Sequence, residues 1–304
     1  FLQTMGEAQG YTKDTAHYIS KTTVASGGEN KGFYSRYQYT SKGQEICLQG
    51  PLGHDLSMMN CFLPPGIDIK VRYWPSEDSF ALVSDAASTD NYQFIITEMS
   101  LSMYGIEATQ DVIDKHSSLL ANRMAAFHYQ RSEFKSFTVP ANQVQWGIDN
   151  LFGGPLPFEC IIAFVDTSSY LGKRTTSPFD FKHNDLEFCS LFVQGLQEFI
   201  FQPSFEKDSS NWVHEYRSLY ATDQGRKYIP GIIQMSEFSG GYTILRFKLS
   251  TSQTIRKNRV AEGVGRLSIR WKNKLSESIT ILVYNRYHSQ IFMDRTRNIW
   301  LTPT

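Results

Sequence analysis

Seven histidines are the first residues to test for catalysis or metal binding, because an imidazole acts as acid, base or ligand near neutral pH. Their positions contain no HxH, HExxH or HxxxH spacing, the patterns that bring two ligands to one metal. We therefore expect a structural or surface role for each of them and no metal site. The histidines are His17, His54, His116, His128, His183, His214 and His288.

Two close pairs of carboxylates, Glu77 with Asp78 and Asp111 with Asp114, have the residue types of a glycosidase acid and base. The chain has 30 acidic residues in 304, so that close pairs arise by chance. These two lie in a loop and at a helix start, where Asp and Glu cap or solubilise. No GxSxG, phosphate loop or Cys/His dyad is present. We predict a protein that is not an enzyme and has no cofactor.

The four cysteines form no CxxC pair, and two of them, Cys160 and Cys189, lie in the apolar runs FECIIAF and LEFCSLF. Such surroundings are typical of buried structural thiols. We expect all four, including Cys47 and Cys61, to be reduced and buried, since nothing indicates an oxidising compartment.

Formal net charge is zero, with 30 basic and 30 acidic residues. This balance argues against a protein that mainly coats nucleic acid, which requires a surplus of Lys and Arg. No run approaches the roughly 18 apolar residues of a bilayer crossing, and the first residues do not resemble a signal peptide. Local basic clusters occur at Lys173–Arg174, Arg256–Arg259, Arg266/Arg270/Lys272/Lys274 and Arg295/Arg297.

Alternation of apolar and polar residues predicts the elements that position these groups, because period two is the pattern of a half-buried strand. It occurs in 67–74, 94–103, 242–249, 266–272 and 279–287, and SEFKSFTV (132–139) is a further strand. FECIIAFVD (158–166) and LEFCSLFV (186–193) are apolar throughout, as in central strands covered on both faces. The region 92–294 thus holds seven or eight strands, which suits a two-sheet sandwich or jelly roll.

Other segments connect these strands or precede them. Leu120, Met124 and Phe127 fit one helical face, and Trp212 to Tyr220 gives a second short amphipathic helix. The Gly240-Gly241 pair precedes a strand and indicates a turn. In the first sixty residues only Arg36–Thr40 and Glu45–Leu56 have strand composition, and 67–83 adds two more predicted strands.

Aromatic residues are frequent in the connections, where they are typical either of sugar-binding platforms or of subunit contacts. Their positions alone leave both interpretations open. They are Phe152, Tyr170, Phe179, Phe181, Trp212, Tyr216, Tyr220 and Tyr228.

Four segments carry a recognisable series of motifs: LPPGIDIKVRYWPSEDSFAL (63–82), DNLFGGPLPFECIIAFVD (149–166), SPFDFKHNDLEFCSLFVQG (177–195) and SESITILVYNRYHSQIFMDRTRNIW (276–300). In this order they resemble the double jelly-roll major capsid protein of Polinton/Maverick elements and adintoviruses, of the adenovirus hexon-like lineage. The chain departs from the family's pattern at Pro65, at Ser177 and at Asn184 after His183. The residues at the motif positions are Pro64, Pro65, Gly66, Asn150, Leu151, Phe152, Pro157, Pro178, Phe179, Phe181, His183, Asp294, Arg295 and Arg297.

The resemblance implies an all-β double jelly roll with short crossover helices. Residues 1–88 would be the C-terminal part of a first jelly roll, incomplete at its N-terminus by roughly a hundred residues, and residues 89–304 a second jelly roll with a C-terminal tail. The family has no catalytic group, and the matched residues would shape turns and loops. We expect His183 to anchor its loop through a bond from its ring to the backbone.

The implied function is a structural one in a virion. Subunits would form homotrimers of pseudo-hexagonal outline, which contact neighbouring capsomers and penton or minor capsid proteins. Some basic clusters, such as Arg256–Arg259, would face packaged double-stranded DNA, and assembly would occur inside the host cell, in the nucleus. The rival functions are a jelly-roll carbohydrate- or receptor-binding module and a jelly-roll enzyme.

Overall fold

The protein is seen here as a computed structural model. It describes residues 8–24, 28–57, 59, 61–64, 67–85, 91–193, 196–206, 211–220, 233–249 and 262–301.

Helices are short in the described part of the chain. They are α1 Lys31–Thr40, followed by a 3₁₀ turn at Ser41–Gly43, then α2 Asp78–Ala81, α3 Gln110–Asn122, α4 Thr167–Tyr170, α5 Val213–Tyr220 and α6 Met235–Phe238. The strands are β1 Ala125–Val139, β2 Gln145–Phe152, β3 Glu159–Asp166, β4 Leu186–Val193, β5 Leu196–Phe201, β6 Ile244–Lys248, β7 Gly265–Trp271, β8 Ile279–Met293 and β9 Ile299–Leu301.

The strands form two antiparallel sheets. One has the order β1-β8-β3-β6, with β9 also paired to β8, and the other has the order β2-β7-β4-β5. Eight strands that alternate between two four-stranded sheets in this way have the double Greek-key winding of a jelly roll. The predicted all-β jelly-roll class with short connecting helices is therefore confirmed.

Strand β7 shows the predicted alternation most clearly. Leu267, Ile269 and Trp271 are buried in the core, whereas Arg266 and Arg270 are exposed on the outer face. The predicted alternation in β6 is confirmed in the same way. The apolar pattern alone thus decides which face of these strands meets the opposite sheet.

The two uniformly apolar segments are the central strands that their composition predicts. Strand β3 lies between β8 and β6, and β4 lies between β7 and β5. Their side chains join one core cluster, in which Phe164 packs edge-on against Trp271 with ring centroids 6.1 Å apart. Because both neighbours of each strand belong to the same sheet, little of either backbone is left unpaired.

Five predicted strands in the first part of the chain are wrong. Arg36–Thr40 belongs to α1, which begins where the buried Asn30 side chain accepts a hydrogen bond from the Phe33 amide at 3.3 Å. Glu45–Leu56, 67–74 and 94–103 contain no strand hydrogen bonds. The second strand predicted within 67–83 is also absent, since α2 lies there. An alternating sequence gives a segment one apolar face. A strand also needs a neighbouring strand for its backbone hydrogen bonds, and the alternation does not show whether one is present.

Helix and strand boundaries differ elsewhere as well. Helix α3 ends at Asn122, so that Met124 lies in the following link and Phe127 in β1 rather than on the helix. Helix α5 agrees with the amphipathic segment between β5 and β6. The sequence pattern predicts neither β2 nor β5. In β2, Gly147 and Asn150 interrupt the alternation of apolar and polar residues.

The eight jelly-roll strands extend from Ala125 to Met293, within the range 89–304 predicted for the second jelly roll. No strand precedes Ala125 among the residues that the structure describes. The first jelly roll, and the boundary between 1–88 and 89–304, stay predictions.

Tight packing fixes the end of β2 against β7. The register shifts between Ile148 and Phe152, and Asn150 at this bulge has φ +59°. Phe152 then lies opposite Gly265, and its ring is fully buried beside the glycine. A Cβ on Gly265 would overlap the ring.

We expect Gly265→Ala to destabilise the fold by about 1–3 kcal/mol, because the buried Phe152 ring has no free space into which to move. Urea unfolding measures this difference. The control is Gly147→Ala in the adjoining strand, where the nearest atoms lie 3.9 Å from the added Cβ. Equal free energies of unfolding for the two variants would contradict the packing argument.

Candidate functional site

The motif residues of the second segment lie at the connection between β2 and β3. Leu151 and Phe152 are fully buried, and Pro157 is buried as well. Asn150 supplies the left-handed backbone of the bulge, a conformation that Asn adopts more readily than most residues. This part of the motif shapes the core and its turn, and it exposes no reactive group.

The third motif segment precedes β4. Pro178 is buried, Phe181 is partly buried, and Phe179 is 60% exposed. The Phe181 amide donates to the Gly241 carbonyl oxygen at 2.8 Å, and its carbonyl accepts from the Thr243 amide at 3.0 Å. The loop is therefore held against the turn before β6.

His183 anchors the end of the same loop. Its Nδ1 accepts a hydrogen bond from the Asp185 amide at 2.9 Å, and its ring stacks on Phe205 with centroids 4.1 Å apart. Burial is the main cause that lowers the pKa of His183, and the nearby Asp185 acts in the opposite direction. A partly buried neutral imidazole with these contacts holds a loop.

The fourth motif forms the turn between β8 and β9. Asp294 accepts hydrogen bonds from the Thr296 hydroxyl at 2.8 Å and from the Asn298 amide at 2.9 Å. Desolvation acts to raise the pKa of Asp294, but these hydrogen bonds together lower it. Arg297 adopts φ +67° in this turn, and Arg295 is exposed.

The matched residues do not meet at one place. The second segment lies at the β2–β3 connection, the third at the loop before β4, and the fourth at the turn after β8. Pro64 is partly buried in an irregular segment, and Pro65 and Gly66 lie outside the described residues. The second, third and fourth motif segments therefore form separate turns and connections and not one site.

The turn at Gly240 and Gly241 is the centre of a contact with the N-terminal segment, residues 11–21. The His17 amide donates to the Gly240 carbonyl oxygen at 2.7 Å, and the Tyr242 hydroxyl donates to the Asp14 carbonyl oxygen at 2.7 Å. Gly241 has φ +101°, as the predicted turn requires. We call this contact the N-terminal docking surface.

Charged groups complete the N-terminal docking surface. Lys13 pairs with Glu237, and the Ser20 hydroxyl donates to Asp180 at 2.6 Å. Burial is the main cause that raises the pKa of Asp180, although the Ser20 hydrogen bond and Lys182 lower it. Polar contacts of this kind fix the position of a segment more than they stabilise it.

A buried carboxylate, Glu159, lies on the outer side of the β1-β8-β3-β6 sheet. It is 1% exposed and pairs with Arg246 and with Arg286, whose Nη1 lies 2.8 Å from Oε2. Arg246 also donates to the Leu219 carbonyl oxygen at 2.7 Å, which ties α5 to the sheet. Both oxygens of Glu159 are engaged, and the group serves as a structural ion cluster.

Across the described residues, no group of three or more His, Cys, Asp or Glu side chains is placed to hold a metal ion. In one of the two candidate carboxylate pairs, Asp111 pairs with Lys115 on the surface of α3. No helix in the described part of the chain has both the length and the apolar composition that a bilayer crossing requires.

Three of the four basic residues in the cluster on and after β7 pair with carboxylates. Arg266 pairs with Asp149 at 3.0 Å and Arg270 with Glu187 at 2.9 Å. Lys272 pairs with Glu206. This face therefore has little surplus charge for a nucleic acid. Arg256–Arg259 lies outside the described residues.

Three of the loop aromatics, Phe152, Trp212 and Tyr216, lie in the chain's own core or pack against it. Trp212 and Tyr216 pack on Phe238, with ring centroids 5.5 and 5.9 Å away. Phe152 is buried. The sequence cannot distinguish a loop aromatic that folds inward from one that stays exposed, as Phe179 does, and Tyr228 lies outside the described residues.

The cysteines are free thiols, as predicted. Cys160 and Cys189 are buried, and burial raises the pKa of both thiols. The prediction of burial is wrong for Cys47 and Cys61, which are exposed because their segments join no sheet.

Comparisons with known proteins give distant similarities. No protein-family model matches the chain. A curated relative, "Uncharacterized protein F54H12.2" of Caenorhabditis elegans, is 19% identical over 192 residues, which cover 60% of this chain and 45% of the relative. The chain thus spans less than half the length of the curated relative that it matches.

Among solved structures, PBCV-1 VP54 fitted into a reconstruction of the virophage Sputnik has a TM-score of 0.37 at 10% identity, over 62% of this chain and 54% of that chain. The Sputnik virophage structure has a TM-score of 0.36 at 9% identity, over 58% and 39%. The mavirus major capsid protein has a TM-score of 0.32 at 7% identity, over 59% and 41%. The jelly-roll assignment depends on the strand order of this chain and not on these values.

We expect Gly241→Ala to release the N-terminal segment. The added Cβ would lie 2.5 Å from both Asp180 Oδ1 and Ile19 Cδ1, at a φ that L-residues rarely adopt. Trypsin cleavage after Lys21 should accelerate severalfold while the sandwich stays folded. The control is Gly154→Ala, which has the same backbone strain at φ +85° but nothing within 4 Å of the Cβ; equal acceleration there would contradict the contact.

We expect Asp180→Asn to tighten the N-terminal docking surface at about pH 7. A carboxyl whose pKa is raised in the folded state contributes stability below its unfolded pKa and loses it as pH rises through the raised value. The advantage of the variant should therefore shrink as pH falls toward about 4. The measurement is hydrogen exchange at the amides of residues 15–21 in the unchanged protein and in Asp180→Asn. If the slower exchange of the variant did not depend on pH, the raised pKa of Asp180 would not be its cause.

Proposed function

We propose that this chain is a structural capsid protein of a virus or virus-derived element, and that it acts by assembly rather than by catalysis. The observation that carries the proposal is the complete jelly-roll strand order, with three of the four motif segments at its turns and connections. The buried positions of Leu151, Phe152 and Pro178 support an architectural role for the motifs.

We propose further that the subunit contains two jelly rolls, as the motif resemblance implies, with 1–88 in the first and 89–304 in the second. The exposed apolar segments support this arrangement. Ile69 and Val71 are 52% and 51% exposed, and Ile95 and Met99 are 74% and 67% exposed. Alternating segments with exposed apolar faces are typical of strands that pair with a neighbouring strand and bury that face.

Within a shell, the proposed unit is a homotrimer. Each of its three subunits would contribute two jelly rolls, and six jelly rolls around one axis give a pseudo-hexagonal outline. Such a ring closes when the same heterologous contact repeats around the three-fold axis. The proposed partners are neighbouring capsomers and penton or minor capsid proteins. The proposed setting is a Polinton- or adintovirus-type virion that assembles in the nucleus.

Contact with packaged double-stranded DNA is proposed only for the basic sequence 256–259. Arg266, Arg270 and Lys272 are a poor alternative, because each pairs with a carboxylate. Charge reversal at 256–259 tests the idea by genome retention in purified particles, and unchanged retention would remove it.

We expect the protein to form trimers or shells, measured by size-exclusion chromatography with light scattering and by negative-stain microscopy. The amides of 94–103 should exchange more slowly in those particles than in the dissociated subunit, because this segment has no neighbouring strand in the described part of the chain. Amides of β7 serve as the control, since they are protected in both. A strict monomer that binds glycans would instead favour the carbohydrate-binding module.

A further inference from the structure

The paired strands β1 and β8 extend beyond the rest of their sheet. Strand β8 pairs with β1 over its whole length, whereas β3 pairs with it only as far as Glu159 opposite Arg286. Strand β9 takes the place of β3 beside the last residues of β8. The result is a three-stranded ribbon of β1, β8 and β9 that projects from the sandwich, and helix α3 ends next to its tip.

An open groove lies between the end of α3 and this ribbon, with a volume of about 620 Å³. Phe292 lies on its floor, and Leu120 and Met124 line it from the side of the helix. Trp300 is directly opposite Phe292 across the β8–β9 pair and therefore lies on the same face, 46% exposed. Phe292 and Trp300 thus form an apolar row that extends from the groove across β9.

Two guanidinium groups border the apolar floor. Arg123 and Arg295 line the groove and are exposed, and neither guanidinium group forms an ion pair or hydrogen bond with any residue in the described ranges. Asp294 also lines it, but both of its carboxylate oxygens accept hydrogen bonds within the 294–298 turn. With two arginines against one carboxylate, the groove has a net positive charge.

We propose that this groove binds an extended segment of another polypeptide in which carboxylates flank apolar side chains. The apolar residues would cover Phe292 and Met124, and the carboxylates would pair with Arg123 and Arg295, for which a planar guanidinium is well suited. The site does not depend on the proposed function, since it requires only a folded chain and an acidic apolar peptide.

A peptide fits these features better than a nucleic acid does. Nucleic-acid affinity depends on many phosphate contacts, and this groove offers two cations over an apolar floor. Pairing with the opposite charge at the border of an apolar centre is the usual arrangement of a protein interface. An extended segment also suits a groove beside a strand edge such as that of β9.

The probe is a fluorescein-labelled peptide of sequence Asp-Leu-Glu-Phe-Asp-Leu, and its matched control is Asn-Leu-Gln-Phe-Asn-Leu. Fluorescence anisotropy with the full chain should show binding of the acidic peptide only. The paired change Arg123→Glu with Arg295→Glu should weaken binding by at least about tenfold. Met124→Ser, at a side chain 59% exposed, should weaken it without unfolding the protein.

The control variant Lys70→Glu with Lys274→Glu makes the same total change of charge at two exposed residues outside the groove and should bind as the unchanged chain does. Changing both arginines to lysine should retain part of the affinity. Equal binding of the two peptides, or no effect of the Arg123 and Arg295 reversals, would overturn the proposal. So would stronger binding of a labelled DNA oligonucleotide through the same arginines, or variants that only change self-association, which would assign the groove to DNA or to a second copy.

Discussion

The pairing of β8 with β1 and β3 is the interaction on which the structure depends. Strand β8 bonds to β1 along fifteen residues, from Val139 opposite Ile279 to Ala125 opposite Met293, and to β3 on its other edge. These contacts pair the first jelly-roll strand with the last, although the two are far apart in the sequence. Closing so long a loop costs entropy before any contact repays it. Burial of Ile279, Ile281 and Val283 of β8 in the core contributes to the compensation.

The second sheet depends on this closure, because its inner face has nothing else to pack on. Trp271 of β7 meets Phe164 of β3, and Phe201 of β5 meets Phe247 of β6 with ring centroids 4.7 Å apart. Each contact joins one sheet to the other. Burial of these large rings contributes more than any polar contact in the protein, since the exposed ion pairs of β7 contribute little.

The N-terminal docking surface and the proposed groove lie where this closed sandwich ends. The N-terminal docking surface uses the turn before β6, and the groove beside α3 uses the part of the ribbon that extends beyond β3. Both rely on rigid strands to position exposed groups.

The sequence by itself determined the strands whose pattern is local. Alternation in β6 and β7 and the uniform apolar runs of β3 and β4 identified these strands, because burial on one face or both dictates the residue types. Alternation could not say whether a partner edge exists, so 67–74 and 94–103 look like strands but are not paired. Tertiary structure alone decided that Trp212 and Tyr216 turn inward, that the basic residues of β7 meet carboxylates, and that Arg123 and Arg295 border one groove. Each of these depends on residues far apart in the chain, and spacing along a sequence contains no record of such distances.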